Sequence, residues 1–303
     1  MVAESAPDLN AAADEAAPGG TAPRQTPRHQ QLIVTIYGLY GRANGGILPV
    51  SVLISMLDDL GVESSGVRSS VSRLKRRGVL ESVKQGGVAA YRLAPRLEDV
   101  FQEGDRRIFS PRRATAADRW LLIAFSVPES QRHLRHQLRS MLTRMGFGSV
   151  TPGLWIAPGN TYEEIRQQLE RAGLTEYVEF FAAEHLTGDQ VRDKVSQWWD
   201  LPALEELYKD FVERFAPVLE RWESPTAAQP GPDADRAAFV DYVQLLTQWR
   251  RLPYLDPGLP EEYLPAGWHG LTAERIFAEL HRLLNGPARQ HAERLLGPAG
   301  ARS

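Results

Sequence analysis

Six side chains near position 70 have the types and spacing to grip a polyanion: Ser65, Arg68, Ser69, Ser72, Arg73 and Arg76. At 100° per residue, Ser65, Ser69, Ser72 and Arg76 share one side of a helix, flanked by Arg68 and Arg73. Val67, Val71 and Leu74 fall within about 60° of one another on the opposite side. Small hydroxyls on such a face permit close approach to a groove, and guanidiniums reach guanine edges or phosphates. A solvated basic helix has the same composition, so the elements around it must decide.

Other constellations carry less. His133 and His136 stand three apart, but no carboxylate completes a metalloprotease motif, so a surface pair is expected. Gly146-Phe147-Gly148 is half of a dinucleotide fingerprint, yet it follows a helix pattern rather than a strand. The acid pairs Glu163-Glu164, Glu205-Glu206 and Glu261-Glu262 are adjacent in sequence and read as solvated helix faces. There is no phosphate-binding loop and no Gly-x-Ser-x-Gly elbow. The chain has no cysteine, which excludes disulfides, thiolate catalysis and cysteine-based metal centres. The sequence therefore names no catalytic residue and no metal site, and it does not read as an enzyme.

The elements that must position the Ser/Arg face follow in order. A helix is expected over Gln31 to Gly41, then the turn Ala43-Asn44-Gly45-Gly46 and a short strand at Ile47-Leu48. Pro49 to Leu60 reads as a second helix closed by Gly61, and Ser64 to Arg77 as a third closed by Gly78. Val79–Val83 and Val88–Leu93 flank Gln85-Gly86-Gly87 as a hairpin. This is the order of a winged helix-turn-helix over residues 28–95, with Lys84 and Arg92 on the wing as backbone contacts. Residues 1–27, rich in Ala, Pro and Gly, read as a disordered tail, and 96–117 as a polar connector.

Residues 118–188 alternate: a strand at Trp120–Val127, a helix at Ser130–Gly146, and a strand at Val150–Ala157. A helix at Thr161–Ala172 and a strand at Tyr177–Ala183 follow. The pattern predicts a ferredoxin-like domain whose first helix buries Leu134, Leu138, Met141, Leu142 and Met145. Residues 189–297 read as all-helical, with periodicity at 191–199, 202–223, 234–251 and 268–284 and a Pro-rich break at 224–232. Five of the seven tryptophans sit there, read as core volume. The fold class is α+β and multidomain.

Composition sets the limits. The 303 residues suit two or three domains, and 43 % hydrophobic with 24 % charged residues is an ordinary globular balance. The longest apolar run, Leu121–Phe125, is far short of the ~20 residues of a membrane span, and no secretory pattern opens the chain. A cytoplasmic protein is the expectation. Net charge is −3, but Arg24 to Ala117 carries fifteen basic and eight acidic side chains, so a +7 third sits on a −10 remainder. One region is built to meet a polyanion and the other is not.

Several segments together resemble the PaaX family of bacterial transcriptional repressors, which control phenylacetic acid catabolism. They are Gly61…Val67-Arg68…Arg73-Leu74…Gly78 with its hairpin, Gly146-Phe147-Gly148 ahead of Trp155-Ile156-Ala157-Pro158, and Trp199…Leu201…Tyr208…Phe211…Phe215. The most specific is Arg250-Arg251…Asp256-Pro257-Gly258-Leu259-Pro260…Leu264-Pro265…Trp268. The likeness covers about residues 30–285 in family order, with Val79 where the family usually has an aromatic.

The resemblance implies a homodimeric repressor on double-stranded DNA, with a winged helix and a central domain similar to the small nuclease of CRISPR adaptation. It implies release from the operator by an aryl-acyl-CoA such as phenylacetyl-CoA; no resident cofactor and no membrane partner are expected. In those nucleases a metal-binding aspartate closes the first strand; here the matching position is Ser126, a poor ligand for a hard cation. A metal-dependent nuclease is thus the weaker alternative, and a family member with another effector the nearer one. A CoA thioester needs cations and an apolar pocket; the candidates are Arg132, Arg135 and Arg139, and Trp249 with Arg250 and Arg251. The bland account is a solvated stripe for the first set and structural ion pairing for the second.

Overall fold

The computed structural model describes residues 29–186, 191–224 and 231–297. The tail expected over 1–27, and residue 28 after it, lie outside the described residues. The chain divides into two compact units. One takes its described residues from 29–105, 210–250 and 271–297, the other from 106–186, 191–209 and 251–270.

The first unit opens with α1 (His29–Ile36), which runs on through a wide turn at Tyr37–Gly41 and a tight one at Arg42–Asn44. β1 (Ile47–Pro49), α2 (Val50–Asp59), α3 (Ser64–Arg76), β2 (Leu80–Gln85) and β3 (Val88–Leu93) follow in the expected order. The strands form an antiparallel sheet in the order β1-β3-β2. Gln85 faces Val88, so the hairpin loop is Gly86-Gly87, both left-handed at φ 57° and 82°. That is the two-residue turn whose twist suits paired strands, and it requires glycine. α2 and α3 each end in a glycine past the last turn: Val62 N–H donates to Leu57 O, and Val79 N–H to Leu74 O. Gly61 and Gly78 supply the left-handed residue this closure needs.

The segment expected to be a connector instead carries α4 (Glu98–Phe109). Its acids Glu98 and Asp99 lie in the first turn and its bases Arg106 and Arg107 in the last, as the helix dipole favours. Arg42 clasps it, donating to Glu98 at 2.8 Å and to Asp105 at 2.6 Å. The Glu98 carboxyl is held below its ordinary range by that hydrogen bond from Arg42.

The second unit holds β4 (Trp120–Phe125), α5 (Arg132–Arg144), β5 (Gly148–Thr151), β6 (Leu154–Pro158), α6 (Tyr162–Arg171) and β7 (Val178–Ala183). The sheet is antiparallel throughout, in the order β5-β6-β4-β7. The single strand expected at 150–157 is two, because Pro152-Gly153 turns the chain between β5 and β6. Leu138 and Leu142 of α5 and Ile165 and Leu169 of α6 are buried with Leu121, Ile123 and Trp155 of the sheet; Leu134 and Met141 are partly buried at the rim.

The remaining helices are α7 (Val191–Trp198), α8 (Leu201–Glu223), α9 (Pro232–Trp249), α10 (Leu252–Leu255) and α11 (His269–Leu296). α11 outruns its expected end at 284 and passes through Gly286-Pro287. Leu280, Leu284, Ala288 and Ala292, all at most 1 % exposed, keep one buried face across the proline, and that packing overrides the local breaker.

Candidate nucleic-acid interface

α3 buries Val67, Val71 and Leu74, and Ser70 beside them. Ser65, Arg68, Ser69, Ser72, Arg73 and Arg76 are all exposed. The structure thus brings all six sequence-derived residues onto one open face. Lys75 is exposed as well and lies over the Tyr91 ring at 5.8 Å, a contribution the helical angle alone did not pick out. Arg68, Arg73 and Arg76 make no ion pair with another described residue. By contrast Arg42, Arg92, Arg107 and Arg113 are each matched by a carboxylate. Arginines left uncompensated on one helix face form a local positive field that an anion can fill.

Hydrogen bonds tie the elements behind that face together. Arg96 donates to the carbonyl of Gly78 at 2.9 Å, capping the end of α3. Tyr37 donates its hydroxyl to Tyr91 O at 2.9 Å, and burial pushes its ionisation well above the ordinary phenol range. The α1 turn is thereby pinned to β3. On the hairpin, Lys84 is exposed next to the tip. Arg92 stands directly across from Glu81, bonded at 2.6 Å, and its other neighbour is Ile47 of β1. The structure therefore brings Lys84, but not Arg92, to the free end of the wing-like hairpin, because the cross-strand register hands Arg92 a carboxylate.

The effector candidates separate. Arg132 and Arg139 are exposed on α5, while Arg135 donates to Val127 O at 2.8 Å and Glu129 at 3.2 Å, closing the turn that leads into its own helix. Trp249 is 1 % exposed, stacked on Phe277 at 4.5 Å and tilted against Phe211 at 5.3 Å. It is core, as tryptophan commonly is. Arg250 is buried and Arg251 half-buried. Ser126 is exposed just past the end of β4, its N–H donating to Tyr177 O at 3.0 Å. No group of three His, Asp or Glu side chains is disposed to hold a metal among the described residues.

The segment with the most specific resemblance turns out to be a structural clasp. Asp256 is buried and receives three donors: the Tyr208 hydroxyl at 2.7 Å, the Gly258 N–H at 2.7 Å and Arg113 at 3.4 Å. Arg113 also donates to Leu259 O at 3.0 Å, and Ala114 N–H to Gly258 O at 2.8 Å. Trp199 Nε1 donates to Gly146 O at 2.8 Å, and a Cβ at Gly148 would come within 2.7 Å of the Trp199 ring. The two glycines of the half-fingerprint thus serve a helix end and a close approach of tryptophan. A fully bonded buried carboxylate of this kind fixes one conformation of a loop.

A helix with three arginines unpaired among the described residues, set among small hydroxyls and packed with two further helices and a three-stranded sheet, defines the class: a multidomain α+β protein with one open basic face. Family models match three successive stretches of the chain. These are PaaX-like protein over residues 28–97, the PaaX protein central Cas2-like domain over 113–195, and the PaaX-like protein C-terminal domain over 199–294. The chain belongs to the PaaX family. It is 26 % identical over 254 residues to the transcriptional repressor PaaX of Escherichia coli (strain K12), a match covering 83 % of this chain and 78 % of that protein. Among solved structures it resembles the uncharacterized protein Rv0674 from Mycobacterium tuberculosis, with a TM-score of 0.51 and 22 % identity over 85 % of this chain and 95 % of that one. The latter likeness is one of fold. No helix among the described residues is long and apolar enough to cross a membrane.

Proposed function

We propose that this protein is a sequence-specific transcriptional repressor that reads double-stranded DNA with α3, a regulator rather than an enzyme. The observation that carries the reading is the open face of Ser65, Arg68, Ser69, Ser72, Arg73 and Arg76, backed by a buried Val/Leu side and without counter-charges among the described residues. In this reading α2, its Gly61 turn and α3 form the helix-turn-helix, the β2–β3 hairpin is the wing, and Lys84 at its tip meets the phosphate backbone. The β4-to-β7 unit is a ferredoxin-like scaffold without nuclease activity. Its Ser126 stands where a hard-cation carboxylate would be needed.

Two reading heads fit a pseudo-palindromic operator, so the working state is a homodimer. The family relationship supports release by an aryl-acyl-CoA, phenylacetyl-CoA first. Release requires that the ligand bind the non-reading conformation more tightly than the reading one.

Fluorescence anisotropy on the chain's own upstream DNA, at fixed salt, tests this. Specific binding that phenylacetyl-CoA abolishes and free phenylacetate does not is the expected result. Specific binding insensitive to both compounds keeps the repressor and replaces the effector. Binding no tighter to the upstream DNA than to an unrelated duplex refutes the reading.

A further inference from the structure

α5 is unusual in the second unit. Its thirteen residues include Arg132, Arg135, Arg139 and Arg144 with His133 and His136, and no acid. The core side takes Leu134, Leu138, Met141 and Leu142. At 100° per residue the opposite side is a row of Arg132, His136, Arg139 and Thr143, with Ser140 beside it; all but the half-buried Ser140 are exposed.

Neighbouring carboxylates do not neutralise this row. Glu129 is taken by Arg135, Glu164 by Arg107, and Glu163 and Glu170 both by Arg166. The carboxylates of the sister helix α6 are thus taken by other arginines, whereas Arg132 and Arg139 have no ion pair among the described residues.

We propose that this face of α5 is a second, sequence-independent DNA-binding surface that contacts duplex phosphates. The inference rests on the DNA-binding reading above. Arg132 and Arg139 are seven residues apart, about 10 Å along the helix. That spans roughly three axial phosphate steps of one strand. Thr143 and Ser140 add hydroxyl donors of the kind that contact phosphate oxygens. The row carries no apolar side chain, and a convex polar helix face cannot enclose an acyl group. Its form suits an extended polyanion better than the phosphates of a CoA thioester.

The test compares wild type, Arg132→Gln/Arg139→Gln and Arg132→Lys/Arg139→Lys as full chains, on an operator duplex with long flanks and an unrelated duplex of equal length. Affinity is measured from about 50 to 200 mM salt. Losing two phosphate contacts lowers the log–log salt slope by about 1.8, so wild type weakens ~12-fold more than the Gln pair across that range. The loss is the same on both duplexes, discrimination between them is unchanged, and the Lys pair retains most of the slope. Equal slopes for wild type and the Gln pair overturn the proposal. So do equal slopes with a weakened response to phenylacetyl-CoA, which would assign the face to the small ligand. Wild type that binds neither duplex refutes the repressor reading itself, a distinct failure.

Discussion

Replacing Asp59 with alanine will destabilise the unit that carries α3. Asp59 is the last residue of α2, where the helix dipole disfavours a carboxylate by about 0.3–1 kcal/mol. It is tolerated because two helices from the other end of the chain answer it. His291 of α11 bonds Oδ2 at 2.7 Å, and Arg236 of α9 donates to Oδ1 at 2.6 Å. The Asp59 side chain is only 12 % exposed and that of His291 11 %, but Arg236 is 55 % exposed. The Arg236 arm is therefore worth about 0–1 kcal/mol after solvent screening. The shielded His291 arm carries the rest, about 1.5–3 kcal/mol for a hydrogen bond to a charged group. Net of the dipole term, Asp59→Ala costs about 2–3 kcal/mol, a fall in Tm of roughly 5–10 °C for a unit of this size. Thermal unfolding by circular dichroism reads the shift, and a double-mutant cycle with His291→Ala isolates the pair, with a coupling of about 1–2 kcal/mol. Operator affinity should fall too, measured well below the new Tm, because α2 sets the angle of α3. A Tm change under about 1 °C, or additive single mutants, would show that the contact does not anchor the reading module.

The other expectations are brief. Arg73→Ala or Arg76→Ala should each weaken operator binding by about 1–3 kcal/mol if the arginine pairs with a base, and relax specificity at one position; unchanged affinity in both, by anisotropy, removes α3 from the reading role. Tyr208→Phe leaves buried Asp256 one donor short and should cost about 1–3 kcal/mol in urea unfolding. A cost near zero would mean that Arg113 and Gly258 alone hold the clasp. His281, half-buried against the Tyr242 hydroxyl at 2.7 Å, has its protonation pushed below the ordinary 6.5 by desolvation. Its contribution is full above 6.5 and is lost as pH falls toward the depressed native value, since the unfolded chain protonates first. The urea midpoint should therefore drop between about pH 7.5 and 5.5, and drop less in His281→Gln; equal drops would deny the imidazole that role.

What local chemistry controls could be read from the sequence. The exposed Ser/Arg face of α3 follows from helical periodicity, and Gly61, Gly78 and Gly86-Gly87 punctuate their elements where the left-handed backbone is needed. The features that escaped depend on partners far along the chain. α4 reads as linker because its own apolar content is thin; the clasp of Arg42, the approach of Phe101 to Gly38 and the ion pair of Arg107 with Glu164 give it a place. α11 looked finished at Gly286-Pro287, since the buried face that continues it is visible only when α11 is packed. Arg92 looked available until the register placed Glu81 opposite. A faint signal did exist for Asp59: an acid closing a helix is a local inconsistency that marks a tertiary partner.

The division into units also bears on how a signal could reach α3. α1, α2 and α3 share one compact unit with most of α8, α9 and α11, although the last three follow in sequence only after the β4-to-β7 region. α1 packs along α9, with Thr247 Oγ1 donating to Thr35 Oγ1 at 2.9 Å and Tyr40 set against Phe239 at 5.5 Å. Phe239 in turn contacts His291, the partner of Asp59. A ligand that favours a different arrangement of α9 and α11 would thus act on α2 through contacts inside a single unit. The coupling would equal the difference in its affinity for the two arrangements. Asp59→Ala should weaken that coupling, so an effector that releases wild type from DNA should act less strongly on the variant, after allowance for its lower starting affinity. An undiminished effector response would place the transmission elsewhere.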